Sequence, residues 1–171
     1  MRSFQSGISV TVMLIAALLP LAPCGAAAPQ PFVAGSYARL LETHGDRPFV
    51  LSFWSVDCPP CHRELALWGE HQRRETDLPL VLVSTDAPSD AAEIEALLAR
   101  HGLESADSWV FTAPAQQLRY EIDRRWHGEL PRTYLVKNGE VVEAVTGVVD
   151  EARIGRWMQV DKASCPAGRT P

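Results

Sequence analysis

No run of lysine and arginine occurs anywhere in the chain, and acidic residues outnumber basic ones by 21 to 16, for a net charge of −5. An acidic body without clustered cations argues against nucleic acid as a partner. Cysteine is scarce as well, with four in 171 residues: Cys24, Cys58, Cys61 and Cys165. One CxxC with no second CxxC and no HxxxH leaves a zinc site with only half its ligands. Internal repeats, low-complexity segments and inner linkers are all missing, so the length fits one domain with a core of its own. The one long uncharged apolar run, Ile8 to Leu21, is too short and wrongly flanked for a membrane span.

That run has another reading. Met1-Arg2 is a short positive end, and Cys24 to Ala28 is a small-residue exit, so residues 1–27 read as a secretory signal peptide cut after Ala26 or Ala27. The rival is lipoprotein processing with a lipid anchor on Cys24, which Pro23 fits poorly. Export places the chain in the periplasm, where disulfides form and persist. Cleavage leaves an odd number of cysteines, with Cys165 in an aperiodic tail at 161–171 that reads as flexible.

What the sequence does have is concentrated in FVLSFWSVDCPPCHRE, Phe49 to Glu64. An apolar run rich in β-branched and aromatic residues predicts a buried strand, and CPPC follows it at the start of a helix-like stretch. The first cysteine then sits at a helix N-terminus, where free N–H groups and the dipole favour a thiolate. Pro59 and Pro60 suit a first turn, and Cys61 lies one turn along the same face, placed to attack a mixed disulfide. Other readings of these residues stay open. With His62 the motif is CxxCH, the c-type haem attachment pattern, which needs Met158 or another histidine as distal ligand. A structural disulfide is a further option, although so small a loop constrains the unfolded chain little. A copper-handling or binding module without turnover would recruit His62 and His127.

Around this stretch the pattern is regular. Residues 28–35 read as a lead-in and 36–160 as the domain. Ser36 is expected to cap a helix showing Tyr37, Leu40, Leu41 and His44 on one face. Leu78 to Thr85 reads as a parallel strand, and Asp90 with Glu93 as a capping box for a helix to Gly102. Ser108 to Thr112 reads as a short strand and Ala115 to Trp126 as an amphipathic helix. Leu130 to Lys137 and Glu140 to Thr146 are strands joined by Asn138-Gly139, a hairpin signal. Asp150 caps a last helix with Ile154, Trp157 and Met158 on its apolar face. The order predicts an α/β fold: a central mixed sheet with helices on both faces and a C-terminal hairpin plus helix.

With LPRTYLV added at Leu130 to Val136, residues 36–160 resemble the exported thioredoxins of the TlpA/ResA-like family. The resemblance rests on the FVLSFW strand, CPPC, an extra helix between the second and third main strands, LPRTY and the NG hairpin. It implies a protein-disulfide reductase in which Cys58 is the nucleophile and Cys61 the resolving thiol, joined as a redox-active disulfide in the oxidised form. It implies a cis peptide at Pro131, and substrate pairing along Leu130, Pro131 and Arg132. It implies no cofactor and no metal. The partners would be exported protein thiols or disulfides and a membrane electron transducer, with the chain a monomer. Glu64 matches a glutamate that the family places near the dithiol, where it could accept the proton of Cys61. Two positions depart from the pattern: Ser52 stands where plain thioredoxins bury an aspartate, and Asp57 where the family usually has tryptophan. Strand alternation is expected to bring Arg132 to the dithiol side, where it would stabilise the thiolate against the opposing charges of Asp57 and Glu64.

Overall fold

The structure, a computed structural model, describes residues 27–74 and 79–162. The expected signal peptide, the lipid-anchor position Cys24 and Cys165 lie outside the described residues. Among the described residues six strands form one sheet: β1 (Gln30–Phe32), β2 (Phe49–Trp54), β3 (Leu80–Ser84), β4 (Asp107–Phe111), β5 (Arg132–Lys137) and β6 (Glu140–Thr146). Their spatial order is β1-β4-β3-β2-β5-β6. The four strands from β1 to β2 run parallel, and β5 and β6 are antiparallel to their neighbours. The faces are covered, among the described residues, by the helices α1 (Ser36–His44), α2 (Pro59–Arg74), α3 (Ala91–Arg100), α4 (Ala115–Ile122) and α5 (Glu151–Lys162).

Every residue of β2 is buried, as a central strand covered on both faces requires. Alternation along it sorts the core into two layers. Val50 and Trp54 point towards Leu65 and Trp68 of α2, Ile94, Leu97 and Leu98 of α3, and Ile154 of α5. Phe49, Leu51 and Phe53 point to the other side, towards Leu40 of α1 and Leu118 and Ile122 of α4. Fully burying side chains of this size contributes about 1.5–3 kcal/mol each, so the two layers together fix β2 and whatever is attached to its end. The hairpin turns through Asn138 and Gly139 with φ of 53° and 70°, the left-handed pair that a tight two-residue turn demands.

Several local readings are corrected. The stretch read as lead-in holds β1, which pairs with β4 through Gln30–Trp109 and Phe32–Phe111. Ser36 does not cap α1 but is its first, buried residue, with its Oγ accepting the Val33 N–H. Asp90 does not cap α3 with its side chain; it accepts the Ala87 N–H and closes a 3₁₀ turn at Pro88–Asp90. Helix α4 stops at Ile122, because Asp123 adopts an extended conformation. Trp126 therefore lies outside the helix, yet it is buried against Phe53, with ring centroids 4.9 Å apart. The cap on the last helix is as expected: Asp150 Oδ1 accepts the Arg153 N–H at 2.7 Å.

Candidate active site

Strand β2 ends at Trp54, and the chain reaches Cys58 through a turn whose shape is held by side chains. Asp86, just beyond β3, accepts from Ser55 Oγ at 2.8 Å and from the Val56 N–H at 2.9 Å. It also accepts from Ser84 Oγ at 2.6 Å. On the far side of the same residue, in the next peptide group, His62 Nε2 donates to the Val56 carbonyl at 2.7 Å. Val56 is thus gripped at both its N–H and its C=O, one from β3 and one from α2.

Cys58 immediately precedes α2 and occupies its cap position, since its carbonyl accepts the first intrahelical bond from the His62 N–H. Pro59 and Pro60 take the first turn, where an amide would have no helical acceptor. Cys58 and Cys61 form a disulfide with Cα atoms 5.2 Å apart. The Cys61 N–H points at Cys58 Sγ from 3.3 Å, so sulfur stands where a capping oxygen ordinarily accepts. The pair is asymmetric: Cys58 is half-buried, and Cys61 is fully enclosed.

One turn after Cys61, Glu64 is buried to 1% exposure. Its Oε1 accepts from Ser52 Oγ (3.0 Å), Thr133 Oγ1 (2.5 Å) and Trp68 Nε1 (3.2 Å), and its Oε2 accepts the Val149 N–H (3.1 Å). A solvated helix carboxylate is therefore ruled out. The aspartate missing at Ser52 is replaced in space: the carboxylate comes from α2, and Ser52 is one of its donors.

The Leu130–Pro131 peptide is cis. Arg132 pairs with Phe53 across β2 and β5, so one step further puts Pro131 level with Trp54, at the end of the sheet that leads into Cys58. Leu130 and Cys58 both pack against the core layer that contains Cys61. Arg132 does not share that layer, contrary to the expectation from alternation. Its guanidinium lies on the other side of the sheet, bonded to Asp123 Oδ2 at 2.9 Å and Tyr134 Oη at 3.1 Å. The count from Leu130 went wrong because β5 begins only at Arg132, after the cis peptide, so alternation starts there. Asp123 is held below the usual carboxylate range by the Arg125 backbone N–H and by the charges of Arg132 and Arg125. Asp57 is exposed in the turn before Cys58. His62 and His127 are not brought together: the first is tied to Val56 on α2, and the second is on the α4 side of the sheet.

Sequence reasoning missed Asp86, Thr133 and Asp123. For Asp86 a signal was present, since polar residues at the C-terminal ends of parallel strands are where open α/β sheets build sites.

No protein-family model and no curated protein sequence matches the chain. Many solved structures do. A secreted Mycobacterium tuberculosis disulfide oxidoreductase homologous to E. coli DsbE is 15% identical, with a TM-score of 0.55 over 70% of this chain and 85% of that one. MTB DsbF, solved in mixed oxidised and reduced forms, is 17% identical with the same TM-score, over 70% of this chain and 84% of that one. A candidate thiol:disulfide interchange protein DsbE from Chlorobium tepidum is 20% identical, with a TM-score of 0.52 over 72% and 84%. At such identities these neighbours establish that the chain has a thioredoxin-like fold, the fold that the CPPC and LPRTY resemblance implied.

Proposed function

We propose that the chain is an exported thiol-disulfide oxidoreductase that reduces disulfides in other exported proteins. The observation that carries the dithiol chemistry is the asymmetry of the pair: Cys58, half-buried at a helix N-terminus, receives the Cys61 N–H, while Cys61 is enclosed. A thiolate at that position is stabilised by the N–H groups and the dipole, and a thiolate is the attacking species.

In the reduced protein the Cys58 thiolate attacks one sulfur of a substrate disulfide. A Cys58–substrate bond forms, and the other substrate sulfur leaves as a thiolate. Cys61 loses its proton and attacks Cys58 Sγ, forming the Cys58–Cys61 disulfide and releasing the second substrate thiol. Two electrons pass to the substrate, and a membrane electron transducer with its own dithiol returns them. Glu64, one turn from Cys61, is the nearby carboxylate that can take the Cys61 proton. Leu130 and Pro131 flank the extended substrate segment. Asp57 and Glu64 both oppose a thiolate, and Arg132, which would have countered them, is turned away. A less stable thiolate weakens the reduced form and favours donation of electrons.

Equilibration of the dithiol with a thiol buffer tests the direction. A potential near thioredoxin's, about −270 mV, supports the reductase, and one near about −120 mV makes the protein an oxidant. Cys61→Ser should accumulate the Cys58 mixed disulfide, and accumulation through Cys61 in Cys58→Ser instead would reverse the assignment.

A further inference from the structure

The loop that delivers Pro131 also closes a pocket of about 320 Å³ between α4 and residues 124–127, lined by Gln116, Arg119, Tyr120, Arg124, Trp126 and His127. In a chain of net charge −5, no carboxylate lines it among the described residues. The acidic residues along the same segment are each turned to another bond. Glu121 accepts the Gly35 N–H, Asp123 is paired with Arg132, and Glu129 accepts the His127 N–H. The cations are held in place. Arg124 lies over the Tyr120 ring, with Cζ 5.1 Å from the centroid. Arg119 lies against Gly128, whose φ is 112° and where a Cβ would stand 2.7 Å from Arg119 Nη1. The floor is Trp126, buried on Phe53 and fixed by its Nε1 donating to the Glu129 carbonyl at 2.9 Å.

We propose that this pocket is a specificity subsite that takes an acidic side chain of the partner polypeptide, close in sequence to the cysteine that reacts with Cys58. The inference rests on the dithiol function above and adds the class of substrate. The volume suits one side chain with its flanking backbone, not a folded motif. His127 precedes Pro131 by four residues, at most about 14 Å of chain, so an extended partner seated along Leu130 and Pro131 reaches the pocket within roughly three to five residues of its cysteine. Two arginines and an aromatic floor offer a carboxylate charge-assisted bonds beside an apolar wall.

The test uses the Cys61→Ala protein, whose mixed disulfide cannot be resolved. Its Cys58–glutathione disulfide is equilibrated with one of two short cysteine peptides, one carrying glutamates on both sides of the cysteine and the other glutamines. Each exchange swaps one thiol for another at Cys58, so the equilibrium constant reads partner affinity without turnover. The acidic peptide should be favoured about three- to tenfold at low salt, and salt should erode the preference. Arg119→Gln with Arg124→Gln should bring the acidic-to-neutral ratio to about one. Arg124→Gln alone, at an exposed position over the Tyr120 ring, should lower that ratio part of the way even if the double variant folds poorly. Equal constants for the two peptides, or a preference that survives the double variant, would overturn the subsite and leave the oxidoreductase reading standing. If neither peptide displaces glutathione, the dithiol reading fails and the subsite with it.

Discussion

Replacing Glu64 by glutamine separates the carboxylate's structural work from its chemical work. Four donors converge on it, and they are of two kinds. The Ser52 and Thr133 hydroxyls can rotate and become acceptors for an amide NH₂. The Trp68 Nε1–H and the Val149 backbone N–H cannot. If glutamine keeps its oxygen at the Oε1 position, its NH₂ meets the Val149 N–H head-on. If it flips, the hydroxyls adapt and the Trp68 N–H loses its acceptor. In either pose one buried N–H is left unpaired, at about 1–3 kcal/mol. Relief from burying a charge offsets part of that cost, so the expected loss is about 1–2 kcal/mol. Urea unfolding of the oxidised protein at neutral pH, followed by tryptophan fluorescence, measures it, and an unchanged slope confirms that only stability moved. Stopped-flow release of a Cys58 mixed disulfide reads the second role, and Glu64→Gln should slow it. Unchanged stability would refute the hydrogen-bond accounting. Lost stability with unchanged release would make Glu64 a packing element and remove it from proton transfer.

Gly69→Ala would place a Cβ 1.9 Å from the His101 carbonyl oxygen, forcing α2 from the end of α3; a loss of about 1–3 kcal/mol is expected on thermal unfolding, and an unchanged midpoint would contradict the close approach. His44 stacks on Phe49 at 4.0 Å, and burial, with the Arg47 charge, lowers its pKa from the ordinary 6.5. The unfolded chain then binds the proton more readily, so this stabilisation is full above pH 6.5 and is lost as pH falls through the lowered folded value; His44→Gln should flatten that part of the stability–pH curve, and an unaltered slope would show that His44 does not set it. Asp86→Asn removes an acceptor from the turn before Cys58, so amide exchange at Val56 should speed up about tenfold, and an unchanged rate would mean that His62 alone holds the turn.

The elements that could be read from sequence are those whose local pattern and tertiary role agree. FVLSFW was legible because burial on both faces leaves a continuous apolar run, and the Asn138-Gly139 hairpin because its φ values need those residues. Strand β1 was not legible. Three residues around Pro31 carry no alternation, and the strand exists only by pairing with β4, nearly eighty residues on. It tolerates proline because it is an edge strand, where one side of the backbone needs no partner. The expected end of α4 at Trp126 followed the apolar spacing correctly, since Trp126 is buried. What periodicity could not show is that Asp123 leaves the helix to meet Arg132, a contact set by tertiary structure.

The same limit explains the dithiol's surroundings. Read along the chain, Ser52 marks an absent carboxylate, and Glu64 is one of several acidic residues on a helix. Folded, the two are hydrogen-bonded, and the carboxylate has moved from the strand to the helix that carries the cysteines. A strand carboxylate would be fixed to the sheet. Glu64 is bonded to its own helix through Trp68, to β2 through Ser52, to β5 through Thr133 and to the turn before α5 through Val149. Thr133 follows Pro131 by two residues, so the Glu64 side chain joins the cysteine helix to the strand that begins after the cis peptide. Under the proposed function, a substrate seated against Leu130 and Pro131 would press on a strand that is bonded, two residues later, to the carboxylate one turn from Cys61. Thr133→Val, which keeps the shape and removes the hydroxyl, tests that link. It should leave formation of the mixed disulfide at Cys58 unaffected and alter its release through Cys61, and an equal effect on both steps would show that Thr133 only supports the fold.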